Sequence, residues 1–253
     1  MFPSLAIVPL TCRAPMNPIA FILIALAIWA IVAYFGHLQM QKRRQELSDL
    51  AAELGWHFDD SQNWSHEDRY PQFGVFTRGH SRYAYHTLRG QTVIEGRVWP
   101  VVMGDYRFRE TSGSGKNRTT RTYSFSYLIL ELPFLRSCDL IVRKEGFFDK
   151  LAGMIGFDDI DFESAEFSDR FHVKSSDKKF AYDVLHPRMM EFLLDSDPPG
   201  IDIARRACCL YTGTSSWTPT KFKRTLHWAN EFFGRWPSYV TESLEPDSQQ
   251  LSN

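Results

Sequence analysis

Residues 19–35 of the chain read "IAFILIALAIWAIVAYF", a run with no charged position. As a helix the run spans roughly 26 Å at ~1.5 Å per residue, close to the ~30 Å hydrocarbon core of a bilayer. Asn17 can cap such a helix and Pro18 suits its first turn. A cleaved signal peptide would want a basic start, a shorter run and a small-residue cleavage site. Here "YFGHLQMQ" offers no such site and the strong charges follow the run. A core helix would keep a polar face. The pattern therefore predicts a transmembrane anchor.

Behind the anchor the period becomes helical and amphipathic. In "QKRRQELSDLAAELGW", Leu47, Leu50, Ala51 and Leu54 fall on one stripe, and Gly55 is a plausible stop. The stripe predicts packing on the domain that follows. From there "FGVFTRG", "YAYHTLRG" and "RVWPVVMGDYRFRE" alternate aromatic or β-branched residues with polar ones, which predicts strands. "SGSGKNR" at 112–118 looks like a phosphate loop but lacks its spacing, and Asn117 follows Lys116 where Ser or Thr is needed. Tyr106 and Phe108 alternate on one side of it, and Tyr123, Phe125 and Tyr127 on the other. It is predicted to be a hairpin tip.

Further along, "FFDKLAGMIG" reads as a short helix or turn. Phe167, Phe171 and Val173 share strand parity against Arg170, His172 and Lys174, predicting a half-buried strand. Ser175 or Ser176 can cap a helix with Phe180, Ala181, Val184 and Leu185 on its apolar face. His186-Pro187 ends it and starts "PRMMEFLL". "IDIARRACCLYTG" reads as one or two strands. A last helix, capped by Thr218 with Pro219 first, carries Phe222, Leu226, Ala229, Phe233 and Trp236 on one stripe.

The predicted fold class is α+β: one transmembrane helix, a curved antiparallel sheet with several helices, and a C-terminal amphipathic helix. A small barrel closed by that helix is the alternative by analogy. The organisation is a leader at 1–16, the anchor at 17–36, a juxtamembrane amphipathic helix at 37–55, a soluble domain at 56–240 and a disordered tail at 241–253. Translation can begin at Met1 or Met16.

Charge adds an orientation. Up to Arg44 the chain carries Arg13, Lys42, Arg43 and Arg44 and no carboxylate. Lys42, Arg43 and Arg44 just behind the run predict a cytoplasmic domain at the inner (plasma) membrane, with the N-terminus outside. They can also attract anionic lipid. Over the whole chain 29 Lys and Arg balance 30 Asp and Glu, so nothing points to nucleic acid. Cys12, Cys138, Cys208 and Cys209 have no metal-ligand spacing, and adjacent Cys208 and Cys209 should face opposite ways on a strand.

"GHSRYAYHTLRG", "GDYRF", "DFESAEFSDRFHVKSSDKKFAYDVLHPRMMEFLL" and "WPSYV" resemble a family of uncharacterised bacterial proteins, often with a membrane helix in front. The resemblance covers about residues 50–240. Its specific part is the pattern Glu163-Ser164, Phe167, Phe171, Val173, Asp177, Ala181 and His186 to Met190. It implies a recurring fold and supplies no catalytic residues.

Candidate chemistry is sparse. Asp158, Asp159, Asp161, Glu163 and Glu166 lack the glycine of a calcium loop; Asp159, Asp161 and Glu163 would share one face of a strand, and that face is expected to be solvated. The eight histidines, at 37, 57, 66, 80, 86, 172, 186 and 227, show no zinc spacing. Neither a metal nor a cofactor is expected. Glu163, Asp177 and His186 are the weak acid/base candidates. The sequence thus points to a single-pass, membrane-anchored module that binds a protein partner or anionic lipid. A membrane-tethered enzyme acting through those three residues is the alternative.

Overall fold

The computed structural model describes residues 18–136, 139–144 and 159–245. The chain forms two compact units, Met1–Gln45 and Glu46–Asn253. Helix α1 (Pro18–Leu54) runs through their boundary. Its first part, with side chains exposed from Phe21 to Lys42, is long and apolar enough to cross a membrane. Its last turns belong to the second unit, where Leu47, Leu50 and Ala51 are buried. Gly55, at φ +68, ends the helix: Gly55 N–H donates to Ala52 O and Trp56 N–H to Ala51 O at 2.8 Å. This pair of bonds satisfies carbonyls that the helix end would leave unpaired, and it needs the left-handed conformation that glycine adopts at little cost.

The second unit is built on an open, eight-stranded antiparallel sheet. Its strands are β1 (His57–Asp59), β2 (His80–Ile94), β3 (Arg97–Ser112), β4 (Thr119–Glu131), β5 (Leu140–Lys144), β6 (Phe171–Ser175), β7 (Gly200–Ala204) and β8 (Ala207–Tyr211), in the order β1-β2-β3-β4-β8-β7-β5-β6. With β1 and β6 as edges, the sheet is not a barrel. β3 and β4 pair from Ser112↔Thr119 to Val101↔Leu130, so "SGSGKNR" is a hairpin tip, with Gly113 and Gly115 at positive φ.

The helices are α2 (His66–Arg69), α3 (Ala165–Arg170), α4 (Lys178–Val184), α5 (Pro187–Asp195), α6 (Pro219–Gly234) and α7 (Ser238–Ser243). One core, on one face of the sheet, joins the end of α1 to side chains from α4, α5, α6 and α7. A second, largely aromatic core lies on the other face: Phe73, Phe76, Tyr106, Phe108, Phe125, Tyr127 and Tyr211 are each about fully buried. Strand alternation sorts the residues. Cys208 faces the first core and Cys209 the second.

Four local readings need correction. "FGVFTRG" is not a strand: Gly74–Phe76 form a 3-10 turn whose three residues are all buried. The strand expected from Phe167 begins only at Phe171, because Ser164 caps α3 by accepting the Phe167 N–H. The acidic residues at 159, 161, 163 and 166 are exposed but do not share a strand face; Asp159 bridges to Lys174 and Glu166 lies in the first turn of α3. The cap of α4 is Asp177, not Ser175 or Ser176: its carboxylate accepts from Lys179 N and Phe180 N, while the Ser175 hydroxyl donates to Asp139 O. The boundary at 240 also shifts. Leu244 is buried and Glu245 pairs with Arg97, which ties residues 241–245 to the domain. "FFDKLAGMIG", Asp158, Cys12, Cys138 and the stretches 1–16 and 246–253 lie outside the described residues.

Candidate functional site

The three acid/base candidates occupy helix starts. Asp177 caps α4 through bonds of 2.8 and 3.2 Å. His186 caps α5: its Nδ1 accepts the Met189 N–H at 3.4 Å and its Nε2 lies 3.3 Å from Arg235 O. Glu163 is exposed just before the Ser164 cap. No hydrogen bond or ion pair joins the three, and each cap is worth about 1 kcal/mol to its helix. Lys42, Arg43 and Arg44 sit on α1, with Lys42 and Arg44 exposed and Arg43 half-buried. Among the described residues no group of three or more His, Cys, Asp and Glu is placed to hold a metal.

A buried polar chain was not legible in the sequence. β2 bulges between Tyr85 and Leu88, and His86 takes φ +49 there. Gly104 makes room, since a Cβ there would meet His86 O at 3.0 Å and Thr87 Cα at 3.1 Å. The bulge buries His86 between two carboxylates: Nε2 lies 3.2 Å from Asp60 and Nδ1 3.5 Å from Asp105. Ser126 donates its hydroxyl to Asp105 and accepts the Trp217 backbone N–H. The order resembles a catalytic triad in composition but not in chemistry. A carboxylate, not an imidazole, adjoins the hydroxyl, and Ser126 has no solvent exposure. The chain ties β2, β3, β4 and the loop before α6 together.

Two further buried groups titrate abnormally. His66, ringed by Tyr70, Phe76, Tyr106 and Tyr127, has its pKa pulled down to about 3 by burial, with Arg89 and Arg69 adding repulsion. Asp202 has its pKa pushed up to about 7 by burial, against the pull of Arg143 at 3.4 Å. Burial wins because the carboxylate has almost no solvent and a single-oxygen contact to its cation.

The concave feature with a distinct chemistry is a cleft of about 430 Å³ at the end of the β7–β8 hairpin. Arg69, Arg205 and Arg206 line it together with Val98, Pro100 and Pro133; Glu131 is the carboxylate among the lining residues, 3.4 Å from Arg69. Arg205 and Arg206 are the two residues of the hairpin turn, at φ +47 and +64. Both exposed side chains thus stand at left-handed positions where such turns favour Asn-Gly. Each costs roughly 1 kcal/mol or more relative to glycine there. Leu132 N–H, donating to Arg206 O at 2.8 Å, anchors the turn. The sequence signal was present: two apolar runs, "IDIA" and "ACCLY", separated by two residues. Turn chemistry hid it, because Arg-Arg is not a turn pair.

The fold and the cleft together define an antiparallel α+β domain behind an apolar N-terminal helix, with a basic, apolar-walled cleft. No family model and no curated protein matches the chain, as a resemblance to uncharacterised proteins leads one to expect. Among solved structures it is similar to the mycobacterial trehalose monomycolate transport factor A, TtfA. The TM-score is 0.53 at 12% identity, over 77% of this chain and 96% of that one. At that identity the likeness is one of fold.

Proposed function

We propose that the protein is a single-span membrane module whose cytoplasmic domain binds the headgroup of an anionic lipid in the Arg69–Arg205–Arg206 cleft. The observation that carries this is the pair of arginines held at strained turn positions on the rim of a cleft with an apolar wall. Local strain retained at a concave site marks function more often than stability. Guanidinium groups recognise phosphate oxygens bidentately, and Val98 and Pro100 offer apolar surface to the adjoining glycerol and acyl carbons. The fold shared with a protein named as a trehalose monomycolate transport factor supports the lipid side of this reading. The enzyme alternative has no such support, since its three residues are a pair of helix caps and an exposed glutamate.

The test uses the full chain in detergent, with phosphatidylglycerol or phosphatidylcholine added and retained lipid counted by native mass spectrometry. Wild type should retain phosphatidylglycerol in preference. The double variant Arg205→Asn, Arg206→Gly installs the residues the turn prefers, so it should fold at least as well and lose the preference. Equal retention of both lipids by wild type, or an unchanged preference in the variant, would overturn the proposal.

A further inference from the structure

β4 pairs with β3 from Thr119 to Leu130 but with β8 only from Tyr127 to Glu131. Next to the shared stretch the Ser126 N–H donates to Ser215 O at 3.3 Å, so Ser126 turns its backbone groups away from β3. Strand alternation turns the N–H and C=O groups of Thr120, Thr122 and Ser124 the same way. Among the described residues these outward groups have no backbone partner. Thr119–Thr122 are exposed, and Tyr123 and Ser124 are half-buried. Elsewhere the margins of the sheet are short or covered. β1 has three residues, Asn63 bridges to Ala84 on β2, and Ile160 N–H donates to Val173 O along β6. The Thr119–Phe125 margin of β4 carries no proline and no bulge, and Arg121 is its one charge. Such an edge is a template for another strand.

This edge is complementary to a second copy of itself in antiparallel register. A twofold axis at Thr122 sets Thr122 opposite the partner's Thr122, and Thr120 opposite the partner's Ser124. All the outward groups are then used, because each such pair exchanges both of its N–H···O bonds. On one side of this ladder hydroxyl side chains face each other, and cross-strand Thr–Thr and Thr–Ser pairs are stabilising. On the other side Arg121 falls opposite the partner's Tyr123, where a guanidinium and an aromatic ring attract. An axis at Arg121 would instead set two guanidinium groups against each other. One at Tyr123 would set Thr120 against the partner's Ser126, whose N–H is already bonded to Ser215.

We propose that the protein forms a homodimer by pairing β4 of two copies, antiparallel and centred on Thr122, into one continuous sheet. The interface lies at the opposite end of β4 from Glu131 in the arginine cleft, and neither proposal depends on the other.

The test combines the mass of the full-length protein in detergent, by sedimentation, with disulfide trapping in membranes. Wild type should sediment as a dimer. Thr122→Pro removes an N–H that points to solvent in the single copy, a position where an edge strand accepts proline, so the variant should fold and sediment as a monomer. In oxidised membranes Thr122→Cys should cross-link to itself. Arg121→Cys and Tyr123→Cys, expressed together, should cross-link to each other and neither to itself. Both pairings bring Cα atoms within the roughly 4.4–6.8 Å that a disulfide spans. Wild type, with its own four cysteines, sets the background. A monomeric wild type would overturn the proposal, whether it is alone or holds a different protein on this strand. So would a dimer that survives Thr122→Pro. Should that variant fail to fold, the cross-links decide, and their absence at these positions counts against the pairing.

Discussion

Ser126 donates its hydroxyl to Asp105 across the β3–β4 pair at 2.5 Å, and both side chains are buried. Through that one oxygen a carboxylate on β3 is linked to the Trp217 backbone N–H, 2.7 Å away on the loop that leads into α6. Ser126→Ala removes the donor to Asp105 and the acceptor for Trp217 in one step. The expected cost is about 1–3 kcal/mol, because the carboxylate stays buried with one partner fewer. Urea unfolding checks it: the midpoint should fall while the slope with denaturant stays constant.

Gly104 faces the bulge that presents His86 to its two carboxylates. A methyl group there would sit 3.0 Å from His86 O and 3.1 Å from Thr87 Cα, both of them backbone atoms that cannot swing aside. Gly104→Ala should therefore destabilise by about 1–3 kcal/mol, in the range of overpacked cores. The amide of His86 should show the largest change in hydrogen exchange. An alanine variant as stable as wild type would mean that the bulge relaxes freely.

Two buried groups oppose each other in the pH dependence of stability. The Asp202 pKa is raised from its ordinary 3.8 to about 7, so between those values the folded state binds more protons than the unfolded state. Stability then falls as pH rises through that window. The His66 pKa is lowered from 6.5 to about 3, so between those values the unfolded state binds more protons, and stability rises with pH. Each group alone contributes at most about 4–5 kcal/mol across its window. Over pH 4–6.5 the two slopes largely cancel in the wild type. His66→Phe keeps a ring in the aromatic core, and the Nε2 that it removes has no hydrogen-bond partner among the described residues. Its stability should fall with rising pH over that range, whereas Asp202→Asn should show the reverse slope. Parallel profiles for wild type and both variants would show that neither group titrates as described.

On the positive-inside rule Lys42, Arg43 and Arg44 should act as the topological determinants. A fluorescent reporter fused at the C-terminus should be active in the cytoplasm, and an exported phosphatase fused there should be silent. Replacing the three residues by Gln should weaken that bias and raise phosphatase activity. A wild-type fusion with active phosphatase would reverse the orientation and place the arginine cleft on the other side of the membrane.

Much of the scaffold was legible because it follows from local chemistry. The charge-free run at 19–35, Gly55 as a helix stop, the glycines at 113 and 115, His186-Pro187 and Thr218-Pro219 each act within a few residues of themselves. Local competition explains the misread segments too. Ser164 and Asp177 carry oxygens that satisfy free N–H groups, and those bonds outweighed the alternation that suggested a strand and the serines that suggested a cap.

The sites needed the fold. His86 and Asp105 are nineteen positions apart, and only a bulge opposite Gly104 turns the imidazole toward both carboxylates. Arg69 joins Arg205 and Arg206 because β4 pairs with β8 and brings the β7–β8 turn to Glu131 and Leu132. The sequence by itself determined the apolar N-terminal helix, most of the strand and helix segments and the hairpin tip, since propensity, capping and periodicity are short-ranged. Which polar groups meet, and which stay unpaired in the interior, only the tertiary structure decided, because those contacts depend on strand order and register across the whole sheet.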